Sequence, residues 1–197
     1  AVSCAKAMNL THYDRVCIPV PLYHCFGMVL GTLACCAAGA TMIYPSEGFE
    51  PDKTMHALKS ESCTAVHGVP TMFSAMLASS EFNGKPIKSL RTGIMAGSQC
   101  PEVLMRRVLY DLGCSEITIA YGMTETSPIS VQSDVNDPVD VRVSTVGRIQ
   151  PHCEVKIVED DGSTCAVGQT GELWTKGYLV CLLYTSPSPR DLDISRM

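Results

Sequence analysis

The chain has 197 residues, enough for one domain with a sizeable core, and its ordinary apolar share and barely positive mean hydropathy suit a soluble α/β protein. A net charge of −5, with Lys and Arg scattered singly apart from Arg106-Arg107, leaves no basic stripe and argues against nucleic acid as a main partner. Eleven cysteines, an odd number without any Cys-x-x-Cys, exclude a disulfide scaffold and paired zinc-ligand spacing; Cys17, Cys25, Cys35, Cys36 and Cys63 fall in apolar runs and are expected to be reduced core thiols of an intracellular protein.

Residues 1–10 read as the end of a helix, with Val2, Ala5 and Met8 spaced by three, followed by the turn His12-Tyr13-Asp14. Residues 16–22 are apolar but carry Pro19 and Pro21, which suits an extended segment or strand end better than a central strand. From Cys25 to Tyr44 nothing is charged, a length sufficient to span a bilayer. Gly27, Gly31 and Gly39 interrupt that run and no basic or Trp flank marks an interface, so a buried helix over residues 26–38, a Gly39 cap and a strand over 40–44 are expected, and no transmembrane segment.

An alternation follows. Pro51 opens a helix with Met55 and Leu58 on one face, residues 63–67 form a strand, and Pro70 opens a second helix striped by Met72, Phe73, Met76 and Leu77. After a polar loop over residues 79–90 come a strand over 92–96, the turn Gly97-Ser98-Gln99, and a third helix opened by Pro101, with Leu104, Val108 and Leu112 at i, i+4, i+8 and Gly113 as its stop. Strand–helix–strand three times over predicts an α/β fold, a parallel sheet with crossover helices. Beyond Pro128, residues 133–144 read as an acidic surface loop, while 154–158 and 171–175 form a small antiparallel β unit around the turn Asp160-Asp161-Gly162, to which no chemistry is assigned; Glu172 is read as structural.

The chemistry concentrates where the strand over residues 117–120 ends. Tyr121-Gly122 breaks it and Thr124, Glu125, Thr126 and Ser127 follow. A glycine admits close approach of ligand to backbone, hydroxyls donate to phosphate oxygens, and Glu125 is the hard oxygen ligand that Mg²⁺ prefers. In parallel sheets ligands sit beyond the carboxyl ends of strands, so Gly97-Ser98-Gln99 and Tyr121 to Glu125 are expected to face one crevice. Ser98 alone is equally a cap of the following helix. His24 is either a cap or satisfied core histidine, or a group at a helix N-terminus where an anion is welcome. His56, His67 and His152 share no metal-ligand spacing.

Pro21-Leu22-Tyr23-His24-Cys25-Phe26-Gly27, Val69-Pro70-Thr71-Met72-Phe73, Ala96-Gly97-Ser98, Tyr121-Gly122-Met123-Thr124-Glu125, Val146-Gly147-Arg148 and Gly171-Glu172-Leu173, in that order, resemble the adenylate-forming (AMP-binding) superfamily of acyl-CoA synthetases, luciferases and peptide-synthetase adenylation domains. Pro151-His152 after Val-Gly-Arg-Ile makes the chain most similar to mitochondrial medium-chain acyl-CoA synthetases. The resemblance covers residues 1–180 and implies part of the large AMP-binding domain of an ATP-dependent fatty acid:CoA ligase, with fatty acid, ATP and CoA as substrates and Mg²⁺ as cofactor. It implies Glu125 on Mg²⁺, Thr124 on phosphate, and adenine between Gly97, Ser98, Gln99 and Tyr121, Gly122. It also implies His24 beside the reacting carboxylate, with Phe26 and Val69 near the acyl pocket.

The family's Lys-containing phosphate loop is expected upstream of Ala1, and its ribose-binding Asp, hinge and small domain with the catalytic Lys beyond the matched region. Any targeting segment is likewise expected upstream. Residues 182–197, polar and Pro-rich, depart from the pattern and are expected to be a disordered tail arising from truncation or frame error. Catalysis by the chain alone is not expected. A non-catalytic isoform that binds nucleotide or the full-length enzyme, and adenylation of another carboxylic acid, are the alternatives.

Overall fold

Short apolar runs buried on both faces become the central strands of the main sheet, and the amphipathic stretches between them become the helices that cover those faces. In the computed structural model, which describes residues 1–180, the elements are α1 (Val2–Ala7), β1 (Arg15–Cys17), a π-helical segment (Phe26–Leu33) running into α2 (Ala34–Ala38), β2 (Thr41–Ile43), α3 (Pro51–Ser60), β3 (Ala65–Gly68), α4 (Pro70–Ala78), β4 (Thr92–Ala96), α5 (Glu102–Tyr110) and β5 (Glu116–Tyr121). They continue as β6 (Val131–Gln132), α6 (Val139–Ser144), β7 (Arg148–Ile149), β8 (Cys153–Val158) and β9 (Glu172–Gly177). The main sheet has the order β2-β1-β3-β4-β5-β6-β7. Its first five strands are mutually parallel, as the alternation predicts, and β6 and β7 add antiparallel. The separate pair β8–β9 is antiparallel.

Neighbouring residues along each strand point to opposite faces, which divides the core in two. Cys17, Val66, Met95 and Ile117 meet Met55, Leu58, Phe73, Met76, Met105 and Val108 from α3, α4 and α5. Val16, Ala65, Ile94 and Ala120 meet Met8, Phe26, Leu30 and Cys35 from α1, the π-helical segment and α2. Each fully buried Leu, Met or Phe here stabilises the fold by about 2 kcal/mol.

The amino ends of the strands are fastened by polar groups. The register sets Val16 beside Ala65, Ala65 beside Thr92 and Thr92 beside Glu116. The residues at or just before that row therefore meet. Asp14, 3% exposed, accepts hydrogen bonds from the Thr11 N–H and hydroxyl, the Thr64 hydroxyl (2.7 Å) and Arg91 Nη2 (2.8 Å). The other Arg91 amino group donates to Glu116 at 2.7 Å. Burial disfavours the Asp14 charge, but the bonds from Thr64, Arg91 and Thr11 outweigh it and hold its carboxyl below the ordinary 3.8. A depressed carboxylate stabilises the fold above its unfolded value, and that contribution fades as pH falls through the folded one. Asp14→Asn is therefore expected to cost about 2 kcal/mol at pH 7, read as a lowered urea midpoint, because Arg91 loses a charged acceptor. The gap to the unaltered chain should narrow as pH falls below 3.8 and through the lowered value of the folded protein; a gap that stays constant as pH falls contradicts the assignment.

Three expectations need correction. The run after Cys25 is not a buried α-helix throughout: Phe26–Leu33 is π-helical, Met28 and Leu33 face outward, and only α2 is regular, ending at the expected Gly39 cap with φ +71°. Gly27 permits this placement, since a Cβ on it would lie 2.3 Å from the Pro21 carbonyl oxygen. Among the described residues no helix is long and apolar enough to cross a membrane.

Residues 133–144 are not a surface loop. They contain α6, and Ser133, Asp137 and Arg142 are buried because each has its polar atoms hydrogen-bonded. The cysteines, free among the described residues, are not all core thiols either: Cys36 is exposed and Cys25 half-buried, because the uncharged run that holds them has an outer face. The reading of residues 182–197 falls outside the described residues.

Candidate functional site

Parallel register brings the two candidate loops together. Ala96 stands opposite Ala120, so the residues that follow, Gly97 and Tyr121, leave adjacent strands at the same edge. Gly97 has φ +90°, a left-handed conformation that lets the chain turn away, and a side chain there would meet Val69 Cγ1 at 3.1 Å. Val69 ends the β3 connection and caps α4. Ser98 does not cap the next helix. The N-cap of α5 is Pro101 and has no side-chain bond, and Ser98 and Gln99 are exposed at the strand edge.

Beyond β5 the chain makes a tight reversal. Thr124–Thr126 form one 3₁₀ turn, closed by Met123 N–H donating to Thr126 Oγ1 at 3.2 Å, and the Ser127–Pro128 peptide is cis. Gly122 sits under the returning strand: a Cβ there would lie 2.0 Å from the Pro128 carbonyl oxygen. The reversal leaves Thr124 exposed and Glu125 half-buried, and the Glu125 carboxylate has no hydrogen-bond or ion-pair partner among the described residues.

The His24 segment reaches this turn from almost a hundred positions away in sequence. Cys25 Sγ lies 3.5 Å from Thr124 Oγ1 and 3.8 Å from His24 Nδ1. Phe26 N–H donates to His24 Nδ1 at 3.0 Å, so His24 does cap the helical segment. That bond fixes the tautomer with its proton on Nε2, and His24 itself is exposed. Phe26 is buried against the His67 ring, centroids 5.8 Å apart, and Val69 packs on the same cluster. His67 donates from Nε2 to the Leu30 carbonyl at 3.0 Å, its Nδ1 has no partner, and burial pushes its pKa down to about 4, so it stays neutral.

A cleft of about 740 Å³ opens at this edge. Its walls are residues 97–100, 119–122 and 142–147. It thus gathers Gly97, Ser98, Gln99, Tyr121 and Gly122, whereas His24, Phe26, Val69, Thr124 and Glu125 do not line it. His24, Thr124 and Glu125 form an adjoining polar rim.

The third wall was missed in the sequence. Pro138 ahead of Val139 and Val143, an i, i+4 apolar pair now packed on the core, was its one helical signal. Within it Arg142 is 5% exposed and donates to the carbonyls of Ser115, Ile117, Val135 and Asp137. Burial pushes its pKa down from the ordinary value. Asp137 takes a bidentate pair of bonds from Arg148 at 2.7 and 2.8 Å, which holds its carboxyl below the usual range. Glu172 accepts from Trp174 Nε1 at 2.8 Å, in keeping with a structural role.

Among the described residues no three His, Cys, Asp or Glu side chains gather. A metal held by Glu125 would complete its shell from phosphate and water, which is how Mg²⁺ is usually bound beside nucleotides, and an unpaired, half-buried carboxylate fits that demand.

An α/β sheet whose cleft opens between neighbouring strand tips, flanked by a hydroxyl-and-carboxylate turn, has its cleft where α/β proteins of this kind bind ligands. The chain belongs to the AMP-binding enzyme family, whose model matches residues 1–185. It is 50% identical over 199 residues to the Bacillus subtilis (strain 168) protein YngI, covering 100% of this chain and 35% of that protein. It is 42% identical over 171 residues to the medium-chain acyl-CoA ligase ACSF2, mitochondrial, of Danio rerio, covering 86% of this chain and 28% of that ligase. Among solved structures it matches O-succinylbenzoate Coenzyme A Synthetase (MenE) from Bacillus subtilis, in complex with ATP and magnesium ion, with TM-score 0.79 and 26% identity over 92% of this chain and 36% of that one. The chain thus spans about a third of the length of the proteins it matches.

Proposed function

We propose that residues 1–180 are the part of an ATP-dependent fatty acid:CoA ligase that binds the nucleotide and the reacting carboxylate, acting through an acyl-adenylate. The observation that carries this reading is the register of β4 and β5, which makes Gly97 and Tyr121 neighbours at the mouth of one cleft. Adenine fits between Gly97, Ser98, Gln99 on one side and Tyr121, Gly122 on the other, with Thr124 reaching phosphate. His24, with its Nε2 proton directed away from the capping bond, donates to the carboxylate oxygen, and Phe26 and Val69 shape the start of the acyl site. Glu125 would hold Mg²⁺, which supplies charge neutralisation between two anions when bound. CoA is the second acceptor.

A medium-chain substrate and a mitochondrial setting belong to the proposal; the name of the zebrafish relative supports both.

Bringing a carboxylate onto a triphosphate needs cations, and among the described residues the single cation of the cleft lining, Arg142, has its donors committed to main-chain carbonyls. The chain is therefore expected to bind ATP, seen as a Mg²⁺-dependent heat on titration, and to release no pyrophosphate above blank with ATP, Mg²⁺ and octanoate. Clear release contradicts the inactive-portion reading, and an absence of Mg²⁺-dependent heat contradicts the nucleotide site.

A further inference from the structure

We infer that Arg142 is a positioning residue of the nucleotide cleft, a buried guanidinium that pins the wall of residues 143–147 to β5 and so sets the width of the gap facing Tyr121 and Gly122. The inference rests on the nucleotide reading of the cleft given above. It assigns to that site a residue outside the six motifs on which the resemblance rests.

The argument starts from cost. A guanidinium taken out of water is expensive unless its donors are met, and burial at 5% exposure is rare for arginine. Here every side of the fork is satisfied by main chain. Nη1 donates to Ser115 O (3.1 Å) and Ile117 O (2.9 Å), Nη2 to Val135 O, and Nε to Asp137 O (2.8 Å). Two of these carbonyls bracket the start of β5 and two belong to the loop that leads into α6. Among the described residues no carboxylate pairs directly with Arg142, so its bonds act as a clamp between two segments and not as an ion pair.

The clamp extends further. Asp137, whose carbonyl Arg142 grips, uses its carboxylate to hold Arg148 of β7, on the far side of the wall. The segment between them is thus fixed at both ends. Within it Thr145 Oγ1 donates to Val141 O at 2.8 Å and accepts from Gly147 N–H at 3.3 Å, but no bond from residues 143–147 reaches β4 or β5 themselves. The wall is therefore held by Arg142 and the packing of Val143 at one end, and by Arg148 and the pairing of β7 with β6 at the other. Lysine cannot reproduce this: its single ammonium has three donors at one point and no fork.

The test compares Mg²⁺-ATP affinity, by calorimetry on the full chain, for the unaltered protein, Arg142→Met, Arg142→Lys and Met55→Ala. Met55 is buried on α3, which packs on β1 and α4 away from the cleft lining, so Met55→Ala supplies a loss of stability without a change at the cleft. Arg142→Met is expected to weaken ATP binding at least tenfold and Arg142→Lys by less, while Met55→Ala leaves the affinity unchanged. In parallel, amide hydrogen exchange of residues 143–147 should quicken at least tenfold in Arg142→Lys, with β4 and β5 still protected. Unchanged affinity and unchanged exchange in Arg142→Lys overturn the inference even where Arg142→Met does not fold. Equal weakening in Met55→Ala also overturns it, by making the effect one of stability alone. An unaltered chain that gives no ATP heat sinks the nucleotide reading and this role with it, whereas binding that survives Arg142→Met at full strength sinks this role only.

Discussion

Glu125→Gln should remove the magnesium-dependent part of ATP binding and weaken the complex by about 10- to 100-fold, the usual consequence of disturbing a metal's protein shell. Glutamine keeps the size and hydrogen-bonding reach of the side chain but offers a neutral oxygen to a hard cation. The structure makes the experiment clean. The Glu125 carboxylate has no partner among the described residues, so the amide breaks no ion pair and the fold should be unaffected within about 0.5 kcal/mol. Calorimetric titration with ATP, with and without Mg²⁺, reads the effect directly. A variant that keeps the full metal dependence would move the metal away from residue 125.

Gly122→Val is expected to be the most damaging change to the site. Its Cβ would stand 2.0 Å from the Pro128 carbonyl oxygen and 2.8 Å from Ile129 Cα, both backbone atoms that cannot swing aside. The returning strand must then move off β5, breaking the pairing of Tyr121 with Val131 and dragging the Thr124–Thr126 turn with it. A loss of about 3 kcal/mol or more, seen as a lowered urea midpoint, should accompany loss of ATP binding. Gly48→Ala is the matched control, since a Cβ there meets nothing within 4 Å; its midpoint should stay put. Near-native stability in Gly122→Val would mean that the turn is not packed as described.

How much of this was legible beforehand depended on which physical signal each element carries. β4 occupies the residues 92–96 foreseen for it, and β5 and the three helices opened or preceded by proline also fall where expected, because period, glycine stops and Pro at helix starts are local signals. The meeting of Gly97 with Tyr121 followed from topology alone, since consecutive crossovers make neighbouring parallel strands end at one edge.

What escaped was non-local. β6 and β7 have two residues each, too few for any periodicity, and exist because β5 offers them an edge. Arg142 looked solvated, since a charged residue in an acidic, Pro-containing stretch normally is; the carbonyls of residues 115 and 117, remote in sequence, join those of 135 and 137 in satisfying its donors when buried. The π-helical form of Phe26–Leu33 was hidden as well, because apolar spacing does not separate it from an α-helix. His24 and Thr124 were placed in one site by resemblance, and the contact through Cys25 is a distance that no spacing rule supplies.

The most direct test of the whole account is a crystal structure of the chain grown with Mg²⁺ and a non-hydrolysable ATP analogue. The account predicts the adenine between Gly97-Ser98-Gln99 and Tyr121-Gly122, phosphate against Thr124, and the metal on the Glu125 carboxylate. A nucleotide bound elsewhere on the sheet, or a cleft still empty at saturating analogue, would contradict it.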